Sequence, residues 1–179
     1  MYPINKDAKH EALAGALAEV LADQYVMYHV AHGFHWNVIG SDFVEYHEFF
    51  SDIYEDVFGS VDPTAENIRK LGFDAPYLLD DFLALTSVKI GRVASNDPQT
   101  MLLDLARINA QVLVCLNGAF GIAADCNEQG ICNFLADRID MHQKWQWQIA
   151  SSLGMSVREI ASALEVSDVA VVETNEFGI

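Results

Sequence analysis

Positive charge is scarce in this chain: ten Lys and Arg stand against 26 Asp and Glu in 179 residues, a formal net charge of −16. The basic residues form no run. Phosphate backbones are held by clustered Lys and Arg, so this composition argues against a nucleic-acid partner reached by simple electrostatics. An acidic surface attracts cations instead, besides keeping the chain in solution. Cysteine is equally sparse. Cys115, Cys126 and Cys132 are odd in number and contain no Cys-x-x-Cys pair, so they read as small buried hydrophobes in a reducing cytoplasm rather than as a disulfide framework. We find no apolar run of about 18 residues, and no membrane span is expected. The start, MYPINKDAKHEALAG, has no basic stretch leading into an apolar one, and no secretory leader is expected. Low-complexity segments and repeats of 20–50 residues are missing as well.

What the sequence does have is helical periodicity, with 51% hydrophobic residues in a length suited to one domain. Leu13, Leu17, Val20, Leu21, Met27 and Tyr28 form one apolar stripe over 8–33. Gly40 interrupts it, and Asp42 with Glu45 resembles a capping box opening a second helix that runs to Leu71, with Gly72 as its C′ residue. Residues 77–85 suit one or two short helical turns. Asp97-Pro98 is an N-cap followed by proline at the first helical position. It opens a third long helix carrying Leu102, Leu105, Val112, Leu116, Ala119 and Ala123. Residues 127–130 read as a loop, a fourth helix covers about 131–153, and Ser156 with Glu159 caps a short helix over 156–164. The expected class is all-α: a four-helix bundle of residues 1–164, with a long crossover carrying a short helix between helices two and three. An irregular tail covers 165–179.

Two polar clusters interrupt the apolar pattern. One is His29-x-x-His32-x-x-His35-Trp36-Asn37 with His47 twelve residues on; the other is Asp62-x-x-x-Glu66. Imidazole with carboxylate suits iron or zinc, and an open, oxygen-rich set favours redox iron. On one continuous helix, His47 and Asp62 are about 22 Å apart at 1.5 Å per residue, so they cannot share an ion within one chain. Two chains packed antiparallel about a twofold axis bring them together and generate two equivalent sites. The plainer readings are a surface or core role for each histidine, and for Asp62-Pro63 the N-cap of a new helix after a break near Gly59-Ser60.

The segment His32-Gly-Phe-His-Trp-Asn-Val-Ile-Gly40, followed by Phe43, His47, Asp62, Ala65-Glu66 and Leu71-Gly72, resembles the signature of the Dps proteins (DNA-binding proteins from starved cells), mini-ferritins of the ferritin-like superfamily. Ala75-Pro76 and the run Arg138-x-x-x-His142-x-Lys144-x-x-Trp147 extend the likeness, which spans roughly residues 8–153. The resemblance implies a ferritin-like bundle assembled as a hollow dodecamer, with ferroxidase sites between subunits at twofold interfaces. There Fe²⁺ is oxidised, preferentially by hydrogen peroxide, and ferric mineral is stored inside, which limits oxidative damage. It assigns His35 and His47 of one subunit and Asp62 and Glu66 of the next as iron ligands; the donor chemistry, rather than the resemblance, admits Zn²⁺ as a substitute occupant. Trp36 becomes either a sacrificial electron donor or an aromatic wedge at the interface. Asp125, Glu128 and Asp137 are candidates for the iron-entry pores. His32 has precedent as a neighbour of the site, while His29 reads as a bundle or interface residue.

Three departures from the pattern stand out. Ser51 occupies the place of a ligand aspartate; a neutral hydroxyl is a poor Fe²⁺ ligand, and Asp52 lies about 100° round the helix. The alternative to a ferroxidase is therefore a structural or metal-binding cage with weakened or absent activity. Pro63 lies inside the long helix, where it removes a donor and presses on the carbonyl of Gly59, predicting a kink rather than a full break. Finally, only Lys6 and Lys9 lie near the N-terminus and the C-terminal segment carries Glu173 and Glu176, so no appreciable duplex binding is expected at physiological salt.

Overall fold

The structure, a computed structural model, describes residues 7–164; the tail expected at 165–179 lies outside the described residues. The elements in chain order are α1 (Ala8–Asn37), α2 (Phe43–Lys70), α3 (Leu79–Leu85), α4 (Pro98–Asp125) and α5 (Gln129–Ser152). A further helical stretch, α6, covers 157–164. Asp7 caps α1 by accepting from the Lys9 and His10 amides, and Asp97 caps α4 by accepting from Thr100 N at 3.0 Å. Ser156 and Glu159 make both bonds of a capping box, at 3.2 and 2.7 Å. Each satisfies amides that have no partner inside the helix. Gly72 and Gly154, with φ of 88° and 69°, take the left-handed conformation that ends α2 and the turn after α5.

The pairing directions follow from contacts at the two ends of the bundle. At one end Ile39 N donates to Asn96 O at 3.1 Å; at the other His10 Nε2 meets Glu128 at 3.2 Å. α1 and α4 are therefore antiparallel. The short turn around Gly40 makes α1 and α2 antiparallel too, so α2 and α4 run the same way and the link between them must travel the length of the bundle. α1 packs on α2 and α4, and α4 packs on α5. Their shared core is fully buried Leu13, Leu17, Met27, Phe50, Ile53, Leu105, Ile108, Leu116, Leu135 and Ile149.

The crossover is fastened by one buried carboxylate. Asp23, wholly inaccessible in the middle of α1, accepts from Thr86 Oγ1, Ser87 N and Ser87 Oγ, each at 2.7 Å. Phe82 of α3 buries its ring against Tyr25 of α1, with centroids 4.5 Å apart.

Several expectations need correction. Asp42 precedes α2 but makes no side-chain cap bond: its carboxylate accepts instead from the Ser41 hydroxyl at 3.2 Å. The loop expected at 127–130 is shorter, because α5 already begins at Gln129. The cysteines are half-buried rather than fully buried. α4 is long and apolar enough by length and composition to pass for a membrane-spanning helix, but its apolar residues include Met101, Leu102, Leu105, Ile108 and Val112, all buried in the core. α2 runs unbroken through Pro63, so Asp62 does not cap a new helix. The carbonyl facing the proline belongs to exposed Gly59, where water can take it up.

Candidate metal centre

His35, in the last turn of α1, and His47, in the second turn of α2, face one another across the helical hairpin. Their rings are stacked, 3.7 Å between centroids and 20° from parallel. Each Nδ1 lies 2.7 Å from the backbone carbonyl of the other residue. A carbonyl oxygen only accepts, so each Nδ1 carries a proton that it donates, and in the neutral ring Nε2 is left with its lone pair. No hydrogen bond occupies either Nε2 among the described residues. Fixing one ring nitrogen so that the other is presented as a donor atom is the usual support for a metal-ligating histidine. Sequence spacing pointed to both residues, but not to this reciprocal pair of bonds.

Asp62 and Glu66 do not join them. In an unbroken α2 the fifteen residues from His47 to Asp62 span about 22 Å. They do share a direction: at 100° per residue, His47, Ser51, Glu55, Phe58, Asp62 and Glu66 fall within about 100° of arc on one side of α2. Ser51, Glu55, Phe58, Asp62 and Glu66 are exposed or half-exposed along that side. The buried residues Phe50, Ile53, Val57, Ser60, Thr64 and Ile68 form the opposite side. The rotation of α2 is locked by Asp56, which turns inward to accept from Arg138 Nη1 and Nη2 at 3.1 and 2.7 Å and from Trp145 Nε1 at 2.9 Å. Burial works to raise the Asp56 pKa; the Arg138 and Trp145 bonds outweigh it and hold the carboxyl below its ordinary value. Asp56 is thus committed to α5 and is no candidate ligand.

Aromatic groups surround the histidine pair. Phe43 stacks on His47 at 4.9 Å. His32 stacks on Tyr54 at 4.2 Å and touches Trp36 at 4.2 Å. Burial, then the positive potential of His35 and His29 when protonated, lowers the His32 pKa. Trp36, 63% exposed, stands at the edge of this group, and Phe58, also exposed, packs on Tyr28 beside it; Ile39 and Val44 are exposed as well. His29 is exposed and lies against Tyr25, with centroids 4.7 Å apart. Ser51 Oγ donates to Glu55 Oε1 at 3.3 Å. Asp125 and Asp137 are exposed, whereas Glu128 is half-buried and pairs with His10.

Sequence reasoning missed three groups. Asp23 and Asp56 look like ordinary helix acids, and their partners lie more than sixty residues away. Among the described residues, Glu19, Asp23 and Cys115 are the one trio whose ligand atoms all lie within 4.8 Å. Asp23 already serves the crossover there, and burial together with Asp23 and Glu19 pushes the Cys115 thiol pKa up, away from the thiolate a metal needs. The third group is His142, entirely buried, whose Nδ1 lies 2.7 Å from Asn109 Oδ1 while Asn109 Nδ2 donates to Gln146. Burial, then neighbouring Arg138, lowers its pKa to about 3.

Residues 14–155 match the ferritin-like domain family. A Haemophilus influenzae protein with no assigned role is 27% identical over 140 residues, covering 78% of this chain and 87% of its own length. The DNA protection during starvation protein of Helicobacter pylori is 38% identical over 73 residues, 41% of this chain and 51% of that protein. The crystal structure of a Dps protein from Vibrio cholerae O1, described as a ferritin-like diiron-carboxylate protein, superposes with a TM-score of 0.77 at 26% identity, over 81% of this chain and 91% of that one.

Proposed function

The chain belongs to the ferritin-like family and is a Dps mini-ferritin within it, and on that footing we propose that it is a ferroxidase that takes Fe²⁺ as substrate at sites formed between two subunits. The observation that carries this reading is the His35–His47 pair, two imidazoles whose Nδ1 atoms are tied to backbone carbonyls so that both Nε2 atoms are presented. Asp62 and Glu66 lie on the same outward side of α2, at the distance an antiparallel partner needs to bring them opposite His35 and His47. The exposed apolar residues Trp36, Ile39, Phe43, Val44 and Phe58 suit that contact.

Chemically, His35 and His47 bind Fe²⁺ as neutral donors, and Asp62 and Glu66 supply anionic oxygens that favour Fe³⁺ over Fe²⁺. Two Fe²⁺ give one electron each, and hydrogen peroxide accepts both and leaves as hydroxide. The ferric product then passes into the cavity of a closed shell, a dodecamer in this reading, with Asp125, Glu128 and Asp137 drawing Fe²⁺ through its pores. Trp36 is placed to yield an electron when oxidant exceeds iron, or simply to wedge the interface. Zn²⁺ fits the same nitrogen and oxygen donors and competes for them. The net charge of −16 supports attraction of cations and not of duplex DNA.

A second reading, a cage that holds metal without oxidising it, draws on Ser51, whose hydroxyl adds no negative charge to the site. Peroxide-driven Fe²⁺ oxidation by the wild type beside His35→Ala and Glu66→Ala separates the two. Ferroxidase function predicts fast oxidation lost in both variants; equal rates in all three leave only the cage.

A further inference from the structure

Three of the chain's ten basic residues, Lys89, Arg92 and Arg107, gather on the wall of one cavity of about 390 Å³. It lies between the crossover segment 89–94 and the first turns of α4, where Thr100 and Asp104 complete the wall. Arg107 is fixed in place. Its Nε and Nη2 donate to Asp104 Oδ1 at 3.2 and 2.9 Å, and Nη2 also donates to Lys89 O at 2.7 Å. Those bonds use three of the five guanidinium N–H groups; the two on Nη1 have no partner among the described residues. Lys89 and Arg92 are exposed, and there too their side chains form no ion pair or hydrogen bond. The backbone amides of 90–94 donate to no carbonyl. Three cations thus face one carboxylate, in a chain whose formal net charge is −16.

We propose that this cavity is a phosphate site, taking inorganic phosphate or the phosphate group of a small ester through Arg107 Nη1, Lys89 and Arg92. A guanidinium held by its other arm and two mobile cations match a tetrahedral oxyanion, which accepts several charge-assisted hydrogen bonds at once. The volume suits a small molecule, and the basic stripe that a polyanion backbone follows is missing. Asp104 is a positioning residue that orients Arg107. Nothing in the site depends on His35, His47 or metal.

Isothermal titration of the metal-free assembly with inorganic phosphate at low ionic strength tests the assignment. One saturable site per subunit is expected. Lys89→Gln and Arg92→Gln should each weaken it about tenfold, the scale of one charge-assisted hydrogen bond, and the double variant should show no saturation. Both side chains are exposed, so melting temperature and assembly size should stay those of the wild type. Ribose 5-phosphate titrated in parallel identifies the source: tighter binding than inorganic phosphate names an ester, and equal or weaker binding names the free anion. A wild-type titration without saturation, or an unchanged affinity in the double variant, overturns the site. Equal displacement by chloride at the phosphate concentration shows only a cationic surface and overturns it as well.

Discussion

Acid should weaken the bundle most through His142, with His32, whose pKa burial also lowers, adding in the same direction. In the folded chain His142 is wholly buried beside Asn109 and resists protonation down to about pH 3. In the unfolded chain it protonates near its ordinary value of 6.5. The folded pKa is depressed below the unfolded one. Stability is therefore full above pH 6.5 and falls as the pH drops from there toward 3, because the unfolded state takes the proton first. From pH 7.5 to 4.5 the loss is close to two pKa units, or about 2.6 kcal/mol. For a chain of this size that corresponds to roughly 5–10 °C in melting temperature. Asp56 does not contribute in this window: its folded pKa is lowered from 3.8, so its stabilisation is lost only below about pH 4. His10 works the other way, since its hydrogen bond to Asp7 raises its pKa and its contribution is present in acid and lost on the alkaline side. Urea melts of wild type and His142→Gln at pH 7.5, 6.5, 5.5 and 4.5 read the difference in slope, with sedimentation at each pH scoring subunit dissociation separately. His142→Gln should lose most of the pH dependence whatever its absolute stability. Parallel slopes for the two proteins would refute the reasoning.

The other tests are more direct. Asp23→Ala removes an acceptor from three short bonds to the crossover and should lower the unfolding free energy by at least about 3 kcal/mol; a loss below about 1 kcal/mol in urea denaturation contradicts its role as fastener. Co-refolding equal amounts of His47→Ala and Glu66→Ala subunits should restore about a quarter of wild-type ferroxidase sites, since half of random dimers are mixed and each of those keeps one intact site of two. No recovery from two inactive variants argues against a shared site. In a gel-shift at neutral pH and physiological salt, plasmid DNA should run unretarded.

The helices were legible because their signals are local. Apolar stripes, Asp97-Pro98 and the Ser156–Glu159 pair each act within a few residues, and the structure keeps them. The Asp42–Glu45 box had the same local form and did not close, because Ser41 competes for the Asp42 carboxylate and no sequence pattern ranks those two bonds. His35 and His47 were visible as a twelve-residue spacing. Their stacking was not, since it depends on how tightly the turn around Gly40 folds α2 back on α1. Asp23 and Asp56 were invisible for a simpler reason: their donors are Thr86 and Ser87, or Arg138 and Trp145, and only the packed bundle brings these near.

The exchanged bonds between His35 and His47 also make the hairpin itself a reporter. Each ring is at once a rivet between α1 and α2 and a donor to metal, so ligation and helix pairing are one coupled equilibrium. A cation that grips both Nε2 atoms binds the folded hairpin and not the unfolded chain. The melting temperature should then rise with the logarithm of free metal, by about 2.7 kcal/mol of added stability at a hundredfold excess over the dissociation constant. Loading can be followed by heat alone, with no oxidant and no colour.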